Sequence, residues 1–119
     1  MKIILLPTGF SENSWNAIVY TLEFLKNTMC NFYVLHVADE AAKAESKMQF
    51  QELHARISST FPNNQNHHFY TLIHHNSFTE AVRAQAEDKK IDMIIMGAKG
   101  ITGEQSNVMG HYAANAIKK

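Results

Sequence analysis

Ile91-Asp92-Met93-Ile94-Ile95-Met96-Gly97-Ala98-Lys99-Gly100 is the stretch whose reading decides the fold. Its first half is a short apolar run of the kind that forms a buried strand, and it passes directly into two glycines three residues apart. Residues 101–109 follow, and then Gly110 opens an alanine-rich run that reads as a helix start. Strand, glycine loop and helix start, in that order, are how an α/β protein builds a phosphate cradle. Glycine lets backbone N–H groups approach an anion with no Cβ in the way, and the free N–H groups and positive dipole end of the following helix favour negative charge. A nucleotide is therefore the first ligand to test. Two glycines alone would mark any tight turn; the long gap to a third glycine at a helix start makes the pattern more specific.

Upstream, three more apolar runs alternate with longer amphipathic ones. Ile3 to Leu6 reads as a buried strand ended by Pro7-Thr8-Gly9, and Ser11 or Glu12 starts a helix to about Asn27. Trp15, Ile18, Val19, Leu22 and Leu25 fall at helical spacing within it. Phe32 to Val37 is the second strand. From about Ala41 to Ser59 a polar stretch forms the second helix, with Met48, Leu53 and Ile57 inward, and Pro62-Asn63-Asn64 closes it as a turn. His68 to Ile73 is the third strand. Ser77 with Glu80 is a capping box launching a helix from Phe78 to Asp88, and Asp92 to Met96 is the fourth strand.

Strands separated by helices of this length imply βαβ units, so the expected fold class is α/β. The sheet is expected to be open, parallel and doubly wound, Rossmann-like, with four strands and helices on both faces. Ligands of such sheets bind outside the carboxyl ends of the strands, where strand order reverses. If the first strand is central, Pro7 to Ser11, the His36-Val37 end of strand two and the glycine loop converge there.

Composition narrows the function classes. At 119 residues this is one domain, and 45% apolar with 18% charged residues is ordinary for a soluble globular chain. Eleven lysines and arginines balance eleven aspartates and glutamates, so no basic field draws nucleic acid or anionic lipid. Cys30 is the only cysteine, which excludes an internal disulfide and fits a reducing compartment; a cytoplasmic setting is the expectation. The opening residues are too short an apolar run for a signal peptide, and nothing reaches the roughly 18 apolar residues of a membrane span.

With these segments placed, the chain resembles the universal stress protein family in its adenine-nucleotide-binding form. The resemblance covers the whole chain. It rests on Ile3-Ile4-Leu5-Leu6-Pro7-Thr8 followed by Ser11 and a helix, on Leu35-His36-Val37, on Asp92-Met93-Ile94-Ile95-Met96-Gly97, and on the Gly97, Gly100 and Gly110 spacing. It implies that Gly97, Gly100 and Gly110 wrap the phosphates of ATP or AMP, that Val37 meets adenine through its backbone, and that Pro7 and Thr8 face the ribose. Gly9, Met96, Lys99, Met109 and His111 complete the candidate nucleotide-binding set.

Two positions depart from the family pattern. An aspartate usually follows Pro-Thr, but Gly9 stands here, so the carboxylate that would hold ribose hydroxyls or a metal is missing. A serine or threonine usually follows the third glycine, but His111 stands here, either as a neutral donor in place of the hydroxyl or as a plain surface residue. Each lost contact costs about 1–3 kcal/mol, and together they would move a micromolar site towards millimolar. The family also normally adds a fifth parallel strand that often mediates dimerisation, and no residues are left for it after Lys119. The expectation is a sheet lacking that strand. Its apolar fourth-strand edge at Met93-Ile94-Ile95 would then need covering, by a homo-oligomer or by a second, similar domain.

The remaining residues carry less. His67-His68 and His74-His75 flank a strand about 20 Å long and do not meet at one ion; they read as polar decoration of an edge strand, and no metal is expected. Trp15, Phe32, Tyr33, Phe69 and Tyr70 read as core or sheet-face residues, and the methionines as packing. No nucleophile has a placed base and orienter, so no catalytic residue is assigned. The leading reading is a regulatory or binding domain with a weak or vestigial ATP/AMP site. The alternative is a non-binding half of a tandem protein that serves in domain pairing, and a third reading is a slow ATPase.

Overall fold

The computed structural model describes residues 1–75, 77–99 and 105–109. Its centre is β1 (Lys2–Pro7), where Ile4, Leu5 and Leu6 are all buried. A strand covered on both faces must be apolar at consecutive positions, and here Ile4 and Leu6 enter one core cluster while Leu5 enters another. The first cluster lies under α1 (Glu12–Phe24) and α2 (Lys43–Thr60), which contribute Trp15, Ile18, Leu22, Phe50, Leu53 and Ile57. The second lies under α3 (Phe78–Asp88), which contributes Ala81, Val82 and Ala86. Helices therefore cover both faces, as the alternation of runs predicts.

Sequence chemistry sets the helix ends. Ser11 caps α1, its Oγ accepting from the Ser14 N–H at 3.1 Å, and α1 ends at Phe24, three residues before the expected Asn27. Ser77 caps α3, its Oγ accepting from the Glu80 N–H at 3.3 Å, which is the forward half of the predicted capping box. At the far end of α3, the Ile91 N–H donates to the Ala86 carbonyl at 3.1 Å across Lys90, whose φ of 54 is left-handed. This is a Schellman closure, and Ile91 packs in the same cluster as Ala86.

β2 (Cys30–Val37) pairs parallel with β1 on one side and with β3 (His67–His74) on the other; β4 (Met93–Lys99) pairs parallel with β1. A fifth strand, β5 (Gln105–Met109), pairs antiparallel with β4, giving the order β3-β2-β1-β4-β5. The four parallel strands are those of the sequence reading; β5 is a difference from it, because that reading assigns residues 105–109 to the glycine loop. Backbone groups on β4's outer edge need partners, and a segment close in sequence supplies them with little loop-closure cost. The exposed apolar edge expected at strand four is corrected for the same reason: Ile95 to Lys99 are paired with β5, and Ile94 and Ile95 are buried.

Two further expectations change. Met48 was expected inward, but it is 63% exposed; the inner face of α2 runs through Ser46, Phe50, Leu53 and Ile57, which a helix brings into line, and Met48 lies off it. The histidines around β3 are mostly engaged rather than decorative. His67 is buried with Nε2 2.8 Å from the Leu25 carbonyl, His74 Nε2 accepts from Gln85 at 2.6 Å, and His75 Nδ1 lies 2.8 Å from the Ala38 carbonyl.

Candidate functional site

β1 lies between β2 and β4, so strand order reverses there, and a crevice of about 250 Å³ opens at the carboxyl ends of these strands. The loop leaving β1 forms one wall. Thr8 N–H donates to the Leu35 carbonyl at 2.8 Å, continuing the β1–β2 ladder one residue past Pro7. The Thr8 carbonyl then lies 2.7 Å from His36 Nδ1. A carbonyl only accepts, so Nδ1 carries the proton in this contact. Thr8 Oγ1 accepts from the Phe10 N–H at 3.0 Å, and the Gly9 N–H donates to Ser14 Oγ at 3.1 Å. These bonds hold Phe10 at a φ of 61, which is costly for a bulky residue. The Phe10 ring packs 4.5 Å from His36 and edge-on to Phe50 at 5.0 Å, contacts that offset the strain.

Val37 forms the back of the crevice. In a parallel ladder both polar groups of one residue face the same neighbour and alternate along the strand. The Leu35 carbonyl faces β1, so the N–H and C=O of Val37, two residues on, face that side too. β1 has ended by then, at the Pro7–Leu35 register pair, while Val37 remains held to β3 opposite His74. Met96 of β4 and Phe78, the first residue of α3, close the remaining sides.

Of the residues singled out in the sequence, Pro7, Thr8, Gly9, Val37 and Met96 meet around this one crevice. Gly97 and Lys99 lie in β4, in register with Asn107 and Gln105, and Met109 lies in β5 opposite Ile95. Gly100, Gly110 and His111 lie outside the described residues. Leu35 and His36 of the strand-two motif also line the crevice, as do Ser14 and Phe78, which the sequence reading does not assign to a site. Ser14 carried a local signal, since it stands three residues after the Ser11 cap; Phe78 is brought in only by the packing of α3. No aspartate, glutamate, lysine or arginine is among the described residues lining the crevice, and no group of three or more potential metal ligands occurs among the described residues.

A second cleft, of about 180 Å³, lies on the other side of Thr8 and Phe10, between α1 and α2. Its cation, Arg56, is already engaged: the guanidinium sits 4.0 Å over the Trp15 ring and 3.2 Å from Glu12. No described helix is long and apolar enough to cross a membrane.

Comparison with known proteins places this geometry. Among solved structures, hypothetical protein MJ0577, the subject of a structure-based assignment of biochemical function, is 25% identical with a TM-score of 0.62. That match covers 85% of this chain and 77% of that one. Universal stress protein UspA from Lactobacillus plantarum is 16% identical with a TM-score of 0.59, covering 78% and 74%. A universal stress protein solved in complex with cAMP is 12% identical with a TM-score of 0.59, covering 78% and 69%. The last two likenesses establish the fold alone. A comparison with curated proteins gives no match. Residues 1–119 match the universal stress protein family from end to end, and the chain belongs to that family.

Proposed function

We propose that this domain is a regulatory binding module that takes an adenine nucleotide, ATP or AMP, weakly in the crevice at the carboxyl ends of β1, β2 and β4. The observation that carries this reading is the convergence of Pro7, Thr8, Gly9, Val37 and Met96 on that crevice. The direction of the Val37 backbone groups supports an adenine edge meeting them, with Pro7 and Thr8 towards the ribose. Gly97, Lys99, Gly100, Gly110 and His111 are assigned to the phosphate side. The cAMP complex of a protein with the same fold supports nucleotide as the ligand class. Gly9 supplies no carboxylate and the described lining has no lysine or arginine to meet phosphate, so affinity is set low, with Kd about 0.1–1 mM. Binding, not turnover, is the role assigned, in a stress response and in the cytoplasm.

A second reading is favoured by one specific observation. Residues 97–99 and 105–109 belong to a β ladder, so their backbone groups are partly committed to each other. In that reading the domain binds no nucleotide and serves by pairing with a similar domain. Isothermal calorimetry with ATP and AMP decides between them. Binding near the stated range supports the first, no heat at several times that concentration supports the second, and submicromolar affinity overturns the weak-site assignment.

A further inference from the structure

We propose that the hollow between the end of α2, the turn after it and the start of β3 is a binding site for a small uncharged aromatic molecule bearing a hydroxyl group, held by His67 and Asn64. The hollow has a volume of about 260 Å³; Ile57, Phe61 and Phe69 supply apolar lining, and His54, Asn64 and His67 supply polar lining. His67 opens β3, so the hollow lies towards the amino end of that strand, and none of its lining residues belongs to the crevice at the carboxyl ends.

His67 carries the argument. Phe69 and Ile73 of β3 pack towards the α1/α2 core, and alternation puts His67 on the same face, where it is only 6% exposed. Its ring is fixed edge-on to Phe32 at 4.9 Å, with Nε2 2.8 Å from the Leu25 carbonyl. A carbonyl only accepts, so Nε2 carries the proton and Nδ1 of the neutral ring is an acceptor. Nδ1 is buried and has no hydrogen-bond partner, and Asn64 Nδ2, a donor on another residue lining the same hollow, is buried and unpaired as well. Buried polar groups nearly always have partners, and two unpaired atoms of opposite sense beside one hollow mark a place where a partner enters.

The missing partner must donate to Nδ1 and accept from Nδ2, and a hydroxyl does both with one oxygen. A single water offers the same chemistry but needs only roughly 10–15 Å³, a small part of about 260 Å³. An apolar cavity of roughly 150 Å³ holds one benzene ring, so the remaining space suits a single ring against Phe61 and Phe69. No lysine, arginine, aspartate or glutamate is among the described residues lining the hollow, and burial pushes the His54 pKa below the ordinary 6.5. An ionic ligand would therefore find no counter-charge, and the ligand is uncharged. Phe61, Pro62 and Asn64 also line a neighbouring hollow of about 280 Å³ towards Leu22 and Lys26. That space beside the turn lets Asn64 shift as the hydroxyl enters.

The test is NMR titration of the full chain with phenol and, separately, with toluene, which matches phenol in size and lacks the hydroxyl. Phenol should shift the amide signals of the residues lining the hollow saturably and leave those of the crevice unmoved. It should bind about tenfold or more tightly than toluene, the difference that about one hydrogen bond makes. The nitrogen resonance of His67 Nδ1 should move upfield as it accepts from the hydroxyl. Asn64→Ala should weaken phenol binding about fivefold or more and leave toluene binding unchanged. Equal affinity for the two probes, no saturable shift with phenol, an unmoved His67 Nδ1 resonance, or unaltered phenol affinity in Asn64→Ala would each overturn the proposal. The wild-type comparison of the two probes stands even if the variant fails to fold, and none of these readouts depends on nucleotide binding.

Discussion

His36 Nδ1 lies 2.7 Å from the carbonyl oxygen of Thr8, 28 residues earlier in the chain. In an uninterrupted ladder that carbonyl would be the next acceptor for the Val37 N–H, so the imidazole has taken the bond that would otherwise close the crevice. One side chain both fixes the β1 loop and leaves the Val37 backbone turned to the crevice. His36→Leu should therefore cost about 1–2 kcal/mol, measured by urea denaturation, because it strands a part-buried carbonyl and removes the ring against Phe10. His36→Asn keeps a short donor and should recover part of that loss. Equal stability of the leucine variant and the wild type would show that the contact contributes nothing.

A second prediction concerns Gly9. A Cβ built there meets nothing within 4 Å, and the φ of Gly9 lies outside the left-handed region, so a side chain fits without backbone strain. Gly9→Asp would place a carboxylate at the mouth of the crevice, where the family commonly has one. ATP or AMP affinity should rise about 5- to 100-fold, the range of one good polar contact. Calorimetric titration of both proteins under identical conditions checks it, and unchanged affinity would remove the ribose side from this position.

The elements that were legible in the sequence are those whose pattern and burial agree. Ile4-Leu5-Leu6, short and closed at once by Pro7-Thr8-Gly9, reads as a two-sided buried strand, and Ser77 with Glu80 marks a helix start. β5 was not legible, because Gln105-Ser106-Asn107-Val108-Met109 has neither alternation nor a strong apolar share; its pairing answers a need of β4, not a preference of its own. Met48 stands five residues before Leu53, a spacing that takes it off the face shared by Phe50, Leu53 and Ile57. Around the crevice, Pro7, Thr8 and Val37 follow from the rule that ligands sit at strand ends and from the family resemblance, whereas Phe78 arrives from a different helix and carries no motif.

The end of α3 offers a stabilising change. Lys90 holds a φ of 54 to complete the Schellman turn, a conformation that costs an ordinary residue about 1–2 kcal/mol. Glycine avoids that cost and loses somewhat more chain entropy on folding. Lys90→Gly should stabilise the domain by about 0.5–1 kcal/mol, raising Tm by roughly 2–6 °C. Lys90→Ala keeps the strain and should bring no gain. Differential scanning calorimetry of the three proteins decides the matter, and a glycine variant melting below wild type would refute the strain argument.

The last prediction is a pH dependence centred on His54. Its half-buried ring packs beside Phe50 and Phe69, with Nε2 2.9 Å from Thr71 Oγ1, and burial pushes its pKa below the ordinary 6.5. The unfolded chain therefore binds a proton at His54 more readily than the folded one. Folding stability from this group is fully present above pH 6.5 and is lost as pH falls from there through the lowered folded-state pKa. His54→Gln removes the titrating ring but keeps a polar group near Thr71. Urea midpoints should be compared between about pH 7.5 and pH 5, on either side of the usual histidine range. The wild type should lose more stability than the variant on acidification, while the other six histidines contribute equally to both. Identical losses in the two proteins would mean that His54 keeps its unfolded-state proton affinity in the folded domain.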